Sequence, residues 1–222
     1  MARGSHSSSF GIAHPALIGA VALLVMATFF GDDVALWPSA KATALEQWSG
    51  TDAMLAPAPP EQRAIEAPPR PLMAAGFVAE PSHFFTVDAL VLSHKTYRHD
   101  DEAEISPLDL MLGWGPMSNP ALLAQIRVRQ SGRFGYVRAS HNAPLDLDAL
   151  SPYWTNVHVL PASPDIAERL AEIRTGDLVR LEGALVNVAG PRGWHWRTST
   201  SRTDRGAGAC EVLLVTSVER RS

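Results

Sequence analysis

Residues 177–188 read DLVRLEGALVNV. Val179 and Leu181 share one face of an extended strand, because successive side chains alternate across it. Ala184, Val186 and Val188 continue that face only if Gly183 adds a bulge. Glycine inside a strand marks a bulge or a barrel corner. The stretch therefore predicts a strand that bends in its middle, within a sheet that curls. Just upstream, Ser163-Pro164 supplies a cap and a first-turn proline. Ile166, Leu170 and Ile173 then fall at i, i+4 and i+7, and Gly176 ends the run. One amphipathic helix thus leads directly into the decisive strand.

Working outward, Pro191-Arg192-Gly193 turns the chain, and Trp194, Trp196 and Thr198 alternate with His195 and Arg197. Cys210–Val218 is the last strand, with Val212, Leu214 and Val218 on one face. That parity turns the Cys210 sulfur inward with the apolar set. On the N-terminal side, Phe85, Val87, Ala89 and Val91 alternate within FFTVDALVL, residues 84–92. Ile126–Arg129 and Phe134–Arg138 flank Ser131-Gly132 as a hairpin, and Thr155–Leu160 is another short strand. Ser106-Pro107-Leu108-Asp109 predicts a short helix through Leu112, stopped by Gly113, and Asn119-Pro120 opens a further helical turn to Gln125. The expected class is mainly β (α+β), with short helices between strands. The pattern resembles an OB-type or related curled β-barrel, a likeness of fold alone that implies binding more than catalysis.

The N-terminal region has a different character. Phe10–Phe30, FGIAHPALIGAVALLVMATFF, contains no Asp, Glu, Lys or Arg over 21 residues. As a helix it rises about 31 Å, enough to cross a hydrocarbon core. Residues 10–31 are therefore expected to be a transmembrane helix bound to the lipid bilayer. Arg3 precedes the span and Asp32 and Asp33 follow it, so residues 1–9 are expected in the cytoplasm and the C-terminal body on the outer, periplasmic side of an inner membrane. The apolar run exceeds the usual signal-peptide length, and no small-residue cleavage box follows it directly, which favours a retained anchor. Residues 32–81 then form a juxtamembrane segment and tether. Six of the 16 residues of APAPPEQRAIEAPPRP, residues 56–71, are proline, which predicts extended polyproline II. The globular domain is expected over residues 82–222.

The chain has 222 residues and a net charge of −4. Its single cysteine excludes a disulfide scaffold. The acidic balance and the outward topology argue against nucleic acid as a partner. Residues 126–222 are nevertheless mildly basic, with thirteen bases against ten acids.

The residues offer three kinds of chemistry. His94, His99, Asp100, Asp101, Glu102 and Glu104 lie within eleven residues but match no established ligand spacing, so neither a metal nor a cofactor is expected. For nucleophilic catalysis the candidates are Cys210 with His94, His158 or His195. A lone cysteine is more often a small buried hydrophobe. For ligand binding the candidates are Arg197, Arg202 and Arg205, spread along a Ser/Thr-rich loop, and Trp114, set between two glycines. Trp114 also reads as a plug beneath the barrel, and the loop as a solvated one held by an Arg–Asp204 pair. The sequence points to a single-pass accessory or assembly subunit that binds a partner protein in a bacterial-type cell envelope. The alternative is an anchored envelope hydrolase or transferase using Cys210 with a histidine.

Overall fold

A computed structural model describes Trp48 and residues 53–67, 69–140, 143, 145–206 and 208–221. The expected transmembrane span and most of the juxtamembrane stretch that follows it lie outside the described residues. No helix among the described residues is long and apolar enough to cross a membrane.

Ten strands are described: β1 Glu61–Ala64, β2 Leu72–Ala74, β3 Phe77–Thr96, β4 Leu108–Gly113, β5 Ile126–Ser131, β6 Phe134–Ala139, β7 Trp154–Pro161, β8 Leu178–Ala189, β9 His195–Trp196 and β10 Glu211–Arg221. Pairing runs β3–β4–β7–β10–β8, and β8 pairs again with β3. The curled sheet thereby closes on itself. All of these pairings are antiparallel except β7 with β10. The 20-residue β3 makes closure possible, because it is long enough to serve β4 with one part and β8 with most of its length.

The interior is filled by one parity of each strand: Phe85 and Val87, Leu110 and Leu112, Val157 and Val159, Leu181 and Leu185, Leu213 and Val215. The helix Pro164–Ala171, capped by the Ser163 hydroxyl, brings Ile166 and Leu170 to the same cluster, joined by Ile173. Trp114 is buried there too.

The decisive strand behaves differently from its reading. In β8, Leu181 and Leu185 keep the interior parity through Gly183, while Ala184, Val186 and Val188 belong to a second apolar cluster on the other face. The strand is buried on both sides, so no bulge at Gly183 is needed to explain its apolar run. The irregularity falls on β10 instead, between Val215 and Ser217. Gly183 serves close approach: a Cβ there would sit 1.9 Å from the Leu214 carbonyl oxygen.

Two further expectations are corrected. Leu108–Gly113 is strand, not helix. Every residue in it is buried, so pairing with β3 and β7 overrides the Ser-Pro start signal. Within the proline-rich stretch, Glu61–Ala64 pairs with residues 83–86 of β3. Those four residues contain no proline, so their backbone donors are free for a ladder. Ala56 is buried in the main core.

Candidate functional site

Residues 126–139 leave the closed sheet as a separate two-stranded ribbon, β5–β6. Its inward face packs on the outer side of the sheet. Gly135 lies against Met111 and Asn156 so closely that an added Cβ would fall 2.9 Å from the Met111 methyl. Polar contacts fasten it. Ser93 donates to Gln130 at 2.8 Å, and Gln130 donates to Asn156 at 2.8 Å. At the ribbon tip, Arg133 holds Asp100 through two bonds, at 2.7 and 2.9 Å, and reaches Asp109 at 3.3 Å.

Asp109 is fully buried, and its carboxylate also meets His158 Nδ1 at 2.9 Å. The register places the two directly across β4 and β7. Trp196 stacks on the His158 ring, with centroids 4.1 Å apart. The Arg133 guanidinium lies 3.9 Å from the Tyr97 ring centroid and 5.5 Å from that of Trp196. Burial and the neighbouring Asp109 carboxylate push the Tyr97 phenol above its ordinary value. This cluster is roofed and enclosed. It binds the ribbon to the sheet.

Beside the ribbon opens a cleft of about 640 Å³. Four consecutive residues of β6, Phe134–Val137, line it. Trp154–Asn156 of β7, Ser201, Arg202, Asp204 and Arg205, and the Ala209–Glu211 entry to β10 contribute as well.

Glu211 is its most unusual group. It has the interior parity of Leu213 and Val215, and only 1% of it is exposed. Thr155 donates its hydroxyl to the carboxylate, and Arg202 pairs with it. Burial outweighs both partners and pushes the Glu211 carboxyl up to about 7. Arg202 also donates to Gln62 at 3.3 Å and lies 5.7 Å from the Phe85 ring centroid. Its Nη1 is buried and has no partner.

Cys210 lines the same cleft, half-buried, with Asn156 donating to its sulfur at 3.7 Å. Burial pushes the thiol up to about 11. Among the described residues no histidine is bonded to it. His158 is committed to Asp109, and His195 is exposed on β9, 3.4 Å from the Gly193 carbonyl. The expected face of Val212, Leu214 and Val218 is split: Val212 and Leu214 share a cluster on the outer face of the sheet, while Val218, beyond the irregularity between Val215 and Ser217, joins Leu213 and Val215 in the interior.

The arginine candidates separate. Arg202 and Arg205 both line the cleft, whereas Arg197 is exposed and does not. Arg205 is held by Asp148 at 2.5 Å and by Ser151 at 3.1 Å. The expected local pair with Asp204 is replaced, since Asp204 accepts from Ser199 at 2.7 Å. From the acidic loop, Asp100 is taken by Arg133, and no metal-holding group is found among the described residues. Glu211, Asp109 and Arg133 were missed as site residues. A glutamate opening the apolar run EVLLV was the available signal for the first; nothing local marks the other two. No protein-family model, no curated protein and no solved structure matches the chain.

Proposed function

We propose that the chain is a membrane-anchored accessory or assembly subunit. Its barrel domain binds a partner protein in a bacterial-type cell envelope, outside the cytoplasm. The order β3–β4–β7–β10–β8, with β7 parallel to β10 and a helix between β7 and β8, supports reading the curled sheet as a five-stranded OB-type barrel. In such barrels the connection between the last two strands commonly contributes to ligand binding. Here that connection, residues 190–210, supplies Ser201, Arg202, Asp204 and Arg205 to the cleft.

The observation that carries the reading is the composition of the cleft. Exposed Phe134 and Tyr136 stand beside buried polar groups, paired except for Arg202 Nη1, and a thiol held protonated at neutral pH. Aromatic anchors with a polar rim suit recognition of a surface. A photo-crosslinking residue placed at Tyr136 in the native host tests this. One discrete adduct with another polypeptide is expected, and none from the same residue at Asp165, which is exposed on the helix. Adducts from neither site, with the chain purifying alone from mild detergent, would refute the reading.

The anchored-enzyme alternative has one favourable observation: Glu211, in the range of a general acid or base, lies next to Cys210 in the same cleft. Against it, the thiol is pushed away from the thiolate form that a nucleophile needs.

A further inference from the structure

We propose that the free edge of β6 takes an extended, acidic segment of the partner polypeptide by strand addition, the added strand lying in the cleft. This rests on the partner-binding reading and gives the partner's chemistry. β6 pairs with β5 and, among the described residues, with no other strand, so one row of its backbone donors and acceptors is unused. Phe134, Gly135, Tyr136 and Val137 all line the cleft. Consecutive residues of one strand do so only where the strand presents its edge, because its two faces alternate. An unpaired edge beside a groove is a template for another strand.

The outward face of the ribbon states which side chains the guest should carry. Phe134, Tyr136 and Arg138 alternate along β6, and Arg127 and Arg129 stand on the same exposed face of β5. The register sets Arg129 across from Tyr136 and Arg127 across from Arg138. Among the described residues, none of these three arginines has an ion pair. A guest strand would therefore meet two rings and an unpaired cation on its neighbour, with further cations one strand away. Carboxylates opposite Arg138, and aromatic or branched side chains opposite the rings, complete those pairs. A second copy would bring three more arginines against these three, which disfavours pairing of like edges. Arg202 adds a buried donor, Nη1, that a guest carbonyl or carboxylate can satisfy. The edge is also held in place beforehand, because Gln130 and Arg133 fasten the ribbon to the sheet. Less ordering is then needed on binding.

The full-length chain in detergent micelles is titrated with a pool of eight-residue peptides in which Asp or Glu alternates with Val, Ile, Phe or Tyr. The best binder is then remade with N-methyl amides along one edge or the other. Methylation of one edge should weaken binding about tenfold or more, and of the other edge little. Alternate β6 amides should exchange quickly in the free chain and slowly in the complex. Arg138→Glu should weaken the acidic peptide about tenfold, and replacing its acids with lysine should restore binding to that variant. Several results would overturn the proposal: no pool member binding below about 1 mM, equal tolerance of methylation on both edges, β6 amides already protected in the free chain, or a dimer formed through β6. A Tyr136 crosslink to a partner alongside edge-insensitive peptides would remove strand addition while leaving partner binding intact.

Discussion

Cys210 and Glu211 are neighbours, yet they answer to opposite sides of the sheet. The thiol, pushed up to about 11 by burial, is protonated at neutral pH. Alkylation of native protein at pH 7.5 should therefore be far slower than that of a free thiol, and Cys210→Ala should fold and keep the molecule's biological role. Fast labelling, or a stable Cys210→Ala protein with a null phenotype, would instead favour the enzyme. Glu211 makes a second test. Its carboxyl, ordinarily near 4.5, rises to about 7 in the folded chain. The folded state therefore holds this proton more tightly than the unfolded state. Its contribution to stability is complete below about pH 4.5 and is lost as pH rises through about 7, a change of about 3 kcal/mol if fully expressed. Asp100 runs the other way, since Arg133 holds its carboxyl below the ordinary value, and its contribution is lost in acid. Chemical denaturation at pH 5, 6 and 7.5 should show stability declining upward through that range, and Glu211→Gln should flatten the decline. The Glu211 shift does not follow from residue types alone. An acid at a strand start reads as a solvated end, and only closure of the sheet over it creates the desolvation.

Among the elements, those with their own local signals matched their sequence reading best. Ser163-Pro164 marks the start of the helix, which ends at Ala171, short of the expected stop at Gly176 and with Ile173 beyond it, and the ribbon strands around Ser131-Gly132 alternate cleanly, because one face packs and the other meets water. β4 was hidden, because burial on both faces erased its alternation and left a helix-like start signal in front. The site was legible only in parts: the 198–205 loop drew notice for Arg202 and Arg205, while the opposite wall depends on where the ribbon docks. Docking turns on Arg133, a turn residue with φ +66° whose guanidinium reaches buried Asp109. Arg133→Ala removes that carboxylate's guanidinium partner and releases Asp100. Breaking a buried pair from one side costs about 3–5 kcal/mol. Denaturant unfolding should show a loss of that order, and hydrogen exchange should show the β5–β6 amides losing protection before those of β8. A loss below about 0.5 kcal/mol would mean the ribbon is held by its apolar contacts alone.

At the scale of the whole molecule, the sheet reaches into chain whose composition reads as tether. Ala56 lies in the main core, and Phe77 and Ala79 lie in the second cluster. Residues 78–81 pair with 186–189 of β8. A chain beginning at residue 82 loses all three side chains and part of the seam that closes the ring. Removal of the Phe77 ring alone is worth about 3–5 kcal/mol, so that chain should unfold at markedly lower denaturant than one beginning at residue 44. Composition could not reveal this, because proline content describes local backbone preference and says nothing of what the seven-residue gap between Pro60 and Pro68 can pair with. The apolar run at residues 10–30 poses the remaining question of placement. One arginine precedes it and two aspartates follow. A span of that length inserts with its positive flank in the cytoplasm, which would set the cleft and the β6 edge on the outer side. A phosphatase reporter that is active only outside the cytoplasm, fused after Ser222, should therefore be active. Reversing the bias, with Arg3→Glu together with Asp32→Lys and Asp33→Lys, should silence it in a substantial fraction of molecules. Full activity of a cytoplasmic reporter fused to the unaltered chain would place the arginine-and-aromatic ribbon among nucleic acids, where the same face would have to be reconsidered as a stacking platform for single strands.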